Sequence, residues 1–323
     1  MRRTFLKAGV ACSVQFMLGR TYAQAVSGKP VEWVVGFAAG GGSDAVARSV
    51  AEAWAKPIHR NIVVINKPGA GTNIAAEYAA RSRDYGNLVF TADFATLAAN
   101  PHLFPKLAYN AEQDFVPIGL LARFPLLLVV HNELPVRSFQ DFAAWAKANP
   151  GKLSYGSPGL GTPHHLATEL LAQKMGVKMT HAPYRGAGPA MLDVIGGQIP
   201  FMLVDSAAGL PHINAGKVRA IGVASAQRLK SLPRTPTLIE QGVAGFEAFA
   251  WQGLVAPRGT DDATIQAWSK TLQETLKTPA VQARFEALAL EPLPSTPEQM
   301  REFWLAEKKR WGEVIRTAGI TLD

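Results

Sequence analysis

A chain of 323 residues, 48% hydrophobic and 18% charged with 29 glycines and 22 prolines, is long enough for one large or two ordinary domains around a sizeable core. That mix excludes an intrinsically disordered chain, a coiled coil and a collagen-like fibre. Its one cysteine, Cys12, excludes a disulfide scaffold and a cysteine-built zinc site, and its formal charge of +8 gains meaning only once it is located.

Half of that charge sits at the start. Met1 to Lys7 carries Arg2, Arg3 and Lys7 with no acid, an apolar stretch runs from Ala8 to Leu18, and small residues follow around Thr21 to Ala25. A charged start, a short apolar run and a small-residue end describe an export signal over residues 1–25. The run is too short for a membrane span, which takes about 20 apolar residues. Arg2-Arg3-Thr4-Phe5-Leu6-Lys7 resembles the twin-arginine export motif, and Arg20 near the cleavage region agrees with that route. The mature chain is expected to start near Val26, and without residues 1–25 the balance falls to +4. Several remaining bases (Arg301, Lys308, Lys309, Arg310, Arg316) share one C-terminal helix whose other face is apolar. No basic stripe interleaved with aromatics is left, so no nucleic-acid partner is expected.

After the signal, β-type runs alternate with helical patterns. Val31–Phe37 reads as a strand, followed by a glycine loop and a helix from about Asp44 to Ala55. Ile62–Ile65 and Leu88–Thr91 read as strands with a helix around Asn73–Arg81 between them, and Leu126–His131 as a strand covered on both faces. Further strands are predicted at Lys178–Thr180, Ile199–Val204 and Arg219–Ala224. Such alternation predicts an α/β fold with mostly parallel sheets and helices on both faces. Thr162-Pro163 marks a capped helix start, and Thr296-Pro297-Glu298-Gln299 a capping box. From there Met300, Phe303, Trp304, Trp311, Val314 and Ile315 form one apolar helix face, read as packing, and Gly319 suits its stop.

Three glycine-rich segments lie at helix entries. Phe37-Ala38-Ala39-Gly40-Gly41-Gly42-Ser43-Asp44 suits an anion seat, because glycine lets amides approach a ligand and the helix start adds unpaired N–H donors. It reads equally well as a tight turn in which Ser43 or Asp44 merely caps the helix. The second segment runs from Tyr155 through Ser157, Gly159, Gly161 and Thr162 to His164 and His165, the third from His181 through Tyr184, Arg185 and Gly186 to Pro189. Arg185 could fork onto a carboxylate. No nucleotide-binding glycine motif is complete in any of them. Enzyme signatures are also missing: Gly156-Ser157-Pro158-Gly159 is not a nucleophile elbow. Adjacent His164 and His165 point about 100° apart on a helix, which suits packing or capping better than one metal. Asp261-Asp262 reads as dipole compensation at a helix start. A hydrolase with dispersed residues stays open, and no cofactor or metal is expected.

Over essentially its whole mature length the chain resembles the Bug-type extracytoplasmic receptors of tripartite tricarboxylate transporters. The resemblance rests on Phe37-x-Ala39-Gly40-Gly41-x-Ser43-Asp44, Asn66-Lys67-Pro68-Gly69-Ala70-Gly71, Asn100-Pro101, Tyr155-Gly156-Ser157 with Gly161-Thr162 and His165-Leu166, Ala182-Pro183-Tyr184-Arg185-Gly186, Gly197-Gln198 to Asp205, and Trp251-x-Gly253 to Thr260. It implies a two-domain periplasmic-binding-protein fold closing on its ligand like a flytrap, with domain 1 at 26–128 and 250–323 and domain 2 at 129–249. It also implies a periplasmic, non-enzymatic receptor, expected as a monomer, that hands a dicarboxylate, tricarboxylate or aromatic acid to membrane transporter subunits. A sensor accessory for a kinase is the alternative, beside the hydrolase. The implied ligand contacts are Phe37, Ala39, Gly40, Gly41, Ser43 and Asp44 from the first domain. From the second come Ser157, Gly161, Thr162, His165, Tyr184, Arg185 and Gly186, with Asp205 near the cleft. Phe94 and Thr96 are further expected contacts. Gly36, Ile65, Thr72 and Leu97 depart from the family pattern, and an apolar Leu97 with Phe94 nearby suggests a less polar ligand tail.

Overall fold

The computed structural model describes residues 28–40, 42–184 and 186–322. The expected export signal, Cys12, Gly41 and Arg185 lie outside the described residues.

Runs of valine, isoleucine and aromatics make the first strands, because branched side chains suit a pleated, covered surface. They are β1 (Val31–Val35), β2 (Ile62–Asn66) and β3 (Leu88–Asp93), with helices α1 (Gly42–Trp54) and α2 (Asn73–Arg81) between them. β1 pairs in parallel with both neighbours. The short helices α3 (Asn100–Leu103) and α4 (Ala111–Asp114) lead into β4 (Phe115–Val130). A second half follows, with α5 (Phe139–Ala148), β5 (Ser154–Ser157), α6 (Pro163–Met175), β6 (Thr180–Pro183), α7 (Ala187–Ile195), β7 (Phe201–Asp205), α8 (Ser206–Asn214) and β8 (Arg219–Val223). Here β5 pairs in parallel with β6 and β7. Strand β9 (Phe249–Pro257) brings the chain back, and α9 (Asp262–Leu276), α10 (Pro279–Ala287), β10 (Glu291–Pro292) and α11 (Pro297–Ala318) complete the first half.

The strand order is β2-β1-β3-β9-β4-β7-β5-β6, with β8 and β10 also on β4. The outer strands of each half are parallel, as expected, but the central ones are antiparallel. The reason is connectivity: β4 carries the chain out of the first half and β9 returns it, so these neighbours run in opposite directions. β4 pairs with β9 from Phe115 to Pro125 and from Leu126 with β7 and β8. Its first eleven residues were not expected as strand. They contain Pro117, Gly119, Arg123 and Pro125, and register shifts between Pro117 and Gly119 and between Leu120 and Ala122 accommodate them.

One apolar cluster runs through both halves, joining Phe90, Phe94, Trp251, Trp304 and Trp311 to Phe142, Tyr155 and Phe201. The aromatic face of α11 supplies its outer wall, as its spacing predicts. The capping box at Thr296 and Gln299 starts that helix, and Gly319, at φ 66°, ends it. Buried Glu307 accepts the indole N–H groups of Trp251 (3.1 Å) and Trp311 (3.0 Å), so the one acid on this face satisfies two tryptophans.

Candidate ligand-binding site

In both halves the glycine segments follow the carboxyl ends of parallel strands, where open α/β sheets place their ligands. In the first half the loop after β1 is folded by Asp44. Its buried carboxylate accepts the Gly40 amide (2.9 Å), Arg48 Nε (2.9 Å) and Asn66 Nδ2 (3.0 Å), and the same Asn66 amide donates to Phe37 O (2.9 Å). Burial acts to raise the Asp44 carboxyl, but hydrogen bonds from Arg48, Gly40 and Asn66 outweigh it and hold the group below its ordinary value. Asp44 is therefore a brace for the loop. Phe37, Ala38, Ala39 and Gly40 remain exposed. Among the described residues the amides of Phe37, Ala38 and Ala39 have no protein acceptor. Ser43, half-buried in the first turn of α1, accepts a hydrogen bond from Gln252 of β9.

Phe94 and Thr96 are placed differently from the implied contacts. Phe94 is 1% exposed and packs edge-on against Trp251 and Trp311, while Leu97 is fully buried in the same cluster. Their side chains lie in the core cluster. Thr96 is buried too, its amide and hydroxyl donating to Asp93 Oδ1 (3.0 and 2.8 Å) and its hydroxyl meeting that of Thr72 (2.8 Å). Burial pushes the Asp93 carboxyl up. Two of the departures from the family pattern meet here: Thr72 sits at φ 75°, and a Cβ on Gly36 would lie 2.9 Å from Thr72 Cβ. The threonine fits because position 36 has no side chain.

In the second half Ser157 is 0% exposed. Its hydroxyl lies 2.6 Å from His181 Nε2 and exchanges bonds with the carbonyl (2.9 Å) and amide (3.2 Å) of Gly159. Thr162 caps α6 and donates to Gly159 O (2.8 Å). His165 Nδ1 accepts the Gly161 amide (3.1 Å), which leaves the ring proton on Nε2. The rings of His165 and His181 stack with centroids 3.8 Å apart, and Tyr155 stacks on His181 at 4.9 Å. Burial, helped by the neighbouring His181, pushes His165 down to about 3, and burial pushes His181 down to about 4, so both rings are neutral at neutral pH. The Gly186 amide is taken by Pro158 O (2.9 Å), and Tyr184 donates its hydroxyl to Asp193 (2.6 Å). Burial and that carboxylate push the Tyr184 phenol up to about 12. Asp205 caps α8 through the Ala208 amide (2.9 Å) and lies 3.3 Å from His164 Nε2. Burial acts to raise the Asp205 carboxyl, but the bonds from His164 and Ala208 hold it below its ordinary value.

The second loop is thus closed on itself by its own hydroxyls and histidine. Leu160 at its tip is 51% exposed, and among the described residues its amide has no protein acceptor. The amides of Gly40, Gly159 and Gly161 are bonded within their own segments, and that of Gly186 to Pro158 O in the neighbouring loop. Sequence reasoning gave His181 no role of its own and did not single out Gln252. Nothing near His181 signals its stacking role, whereas a glutamine inside the apolar run Ala250–Ala256 was a visible exception.

The two halves touch beside this site. A Cβ on Gly161, at φ 71°, would lie 2.4 Å from Leu103 Cδ1 and 3.4 Å from Leu322 Cδ1, and Leu322 N donates to Leu103 O (2.8 Å). On another face, Ser206 donates to Ala289 O (2.8 Å). The Ser157–His181 pair has the makings of a nucleophile and base, but its serine is sealed from solvent. Among the described residues no group of three acids, histidines or cysteines could hold a metal, and no helix is long and apolar enough to cross a membrane.

Residues 46–320 match the family described as tripartite tricarboxylate transporter family receptor. The protein BugT of Bordetella pertussis is 32% identical over 323 residues, covering 100% of this chain and 99% of BugT. Among solved structures, Rpa4515 of R. palustris with adipate superposes with a TM-score of 0.83 at 32% identity, covering 90% of this chain and 98% of that one. MatC from Rhodopseudomonas palustris with bound malate gives 0.78 at 31% identity, covering 88% and 98%. These likenesses extend over both halves, so the architecture is the two-domain periplasmic-binding-protein fold. By fold and sequence alike, the chain belongs to the tripartite tricarboxylate transporter receptor family, whose members are extracytoplasmic solute-binding proteins.

Proposed function

We propose that this protein is a periplasmic receptor that holds a small organic carboxylate between its two lobes and delivers it to the membrane subunits of a tripartite transporter. The carrying observation is the set of amides at Phe37, Ala38 and Ala39 before α1 and at Leu160 in the second-half loop that have no acceptor among the described residues. Oriented N–H groups at the entry of a 13-residue helix suit an anion. The nearby acids Asp44 and Asp205 are each tied to their own partners, and His165 and His181 are neutral. The lobes are residues 26–128 with 250–323, and residues 129–249; the exchange of partners by β4 near Leu126 and the start of β9 at Phe249 support that division.

The ligand is a dicarboxylate or a related acid, in keeping with the adipate and malate held by two similar proteins. No bond is made or broken: the buried serine supports binding over hydrolysis. Because the grip is mostly amide dipoles, affinity is expected to survive moderate salt. Native mass spectrometry of gently purified protein tests this, followed by calorimetry with malate, adipate, citrate and benzoate. A co-purified acid, or binding of one of the four, is expected. Turnover of an ester, or binding of none of them, would overturn the reading.

A further inference from the structure

Strand β9 breaks its own pattern at one place. Leu254 and Ala256 are buried in the apolar cluster that also holds Val46, Val50 and Trp54 of α1. Gln252 shares their face by the two-residue period of a strand, and is only 4% exposed. An amide buried in an apolar layer is unfavourable unless both its ends are hydrogen-bonded. Only one end is: Nε2 donates to Ser43 Oγ, while Oε1 meets no partner among the described residues. A methionine of nearly the same shape would suit the layer better, and an unmatched buried amide calls for a role outside stability.

The hydrogen bond supplies one. A serine hydroxyl has one proton to give and lone pairs to receive with. Because Gln252 occupies a lone pair, the Ser43 proton is left to donate elsewhere. Ser43 stands in the first turn of α1, at the end of the loop that opens with the Phe37, Ala38 and Ala39 amides, and is itself partly exposed. We propose that Gln252 is a positioning residue: it sets the polarity of Ser43, so that the hydroxyl presents its proton to the ligand carboxylate. A glutamate there would reverse the bond, accepting the Ser43 proton and turning an oxygen lone pair towards an anion. β9 is also the strand that returns from the second lobe, so this contact fastens the ligand loop to the crossing between the lobes.

The inference rests on the site proposed above, and four variants separate the two. Affinity is measured by calorimetry for whichever of malate, adipate, citrate or benzoate the wild-type protein binds. Ser43→Ala is expected to weaken binding about tenfold, the effect of losing a hydrogen bond to a charged group. Gln252→Met should weaken it by a similar factor while melting at or above the wild-type temperature, an opposition that a merely structural residue would not produce. Gln252→Glu should bind more weakly than Gln252→Met. Ser43→Ala combined with Gln252→Met should bind no worse than Ser43→Ala alone. Loss in Ser43→Ala with full affinity in Gln252→Met would overturn the role of Gln252 and leave the site standing. Full affinity in Ser43→Ala, or a wild-type protein that binds none of the acids, would overturn both.

Discussion

Gly161 is the point where the second-lobe loop meets the first lobe, and replacing it by alanine should have two separable costs. The first is conformational: at φ 71° a side chain enters the left-handed region, worth about 1–2 kcal/mol. The second is steric. The new methyl would stand 2.4 Å from Leu103 Cδ1, far inside the roughly 3.5–4.0 Å of a good carbon contact. Leu103 cannot yield freely, because it is buried and its carbonyl is held by the Leu322 amide. Overpacking of that kind costs about 1–3 kcal/mol, so Gly161→Ala should lose about 2–5 kcal/mol in all. Gly176 provides the control, since it sits at φ 66° and a Cβ there would meet no heavy atom within 4 Å, so Gly176→Ala should show the conformational cost alone. Leu103→Ala should by itself cost about 2–5 kcal/mol through its cavity. In the double variant the methyl enters that cavity, and the two losses should fall short of their sum by at least about 1 kcal/mol. Urea unfolding of the five proteins measures this. Additivity within about 0.5 kcal/mol would mean that the lobes do not meet at Gly161 in solution.

Three further outcomes follow from the same geometry. His165 and His181 are held at about 3 and about 4 in the fold, against about 6.5 unfolded. Their unfolded forms therefore bind protons first as pH falls, so stability is full above about pH 6.5 and declines from there towards pH 4. Melting curves from pH 7 to 4.5 should show a smaller decline in His165→Gln, and an equal decline would refute the assignment. Glu307→Met leaves two buried indole N–H groups without an acceptor and should cost about 2–5 kcal/mol by urea unfolding; a loss under about 1 kcal/mol would show that the tryptophans find other partners. Gly36→Ala should destabilise by about 1–3 kcal/mol in the presence of Thr72 and by less than half as much in a Thr72→Gly background, and equal losses would contradict the contact between positions 36 and 72.

The elements that could be read from the sequence are those whose signal is local. Thr162-Pro163 and the capping box at Thr296 mark helix starts because a cap uses only neighbouring atoms. The alternating face of α11 marks packing because a helix has one period. The first part of β4 stayed hidden, since its prolines and glycine suit a strand only when bulges and the returning β9 are already present. Asp44 looked like a cap or a contact; its role as a brace depends on Asn66, which reaches it from the end of another strand. The same limit applies to the three-ring stack, whose members Tyr155, His165 and His181 come from β5, α6 and β6. Thr72 was visible as a departure, but its compensation by Gly36 is a relation between two loops that no local pattern encodes.

The link between the lobes is a pair of strands rather than a pair of threads. β4 and β9 are hydrogen-bonded to each other up to Pro125 and Phe249, where both leave the first lobe. Beyond that point the chain is caught again at once, with Ala224 N donating to Leu126 O and Ala248 N to Ala224 O, each at 2.8 Å. A ribbon clamped at both ends behaves as a leaf spring: it flexes readily across its flat face and resists shear along its length. Such a link favours rotation of one half against the other over sliding past it.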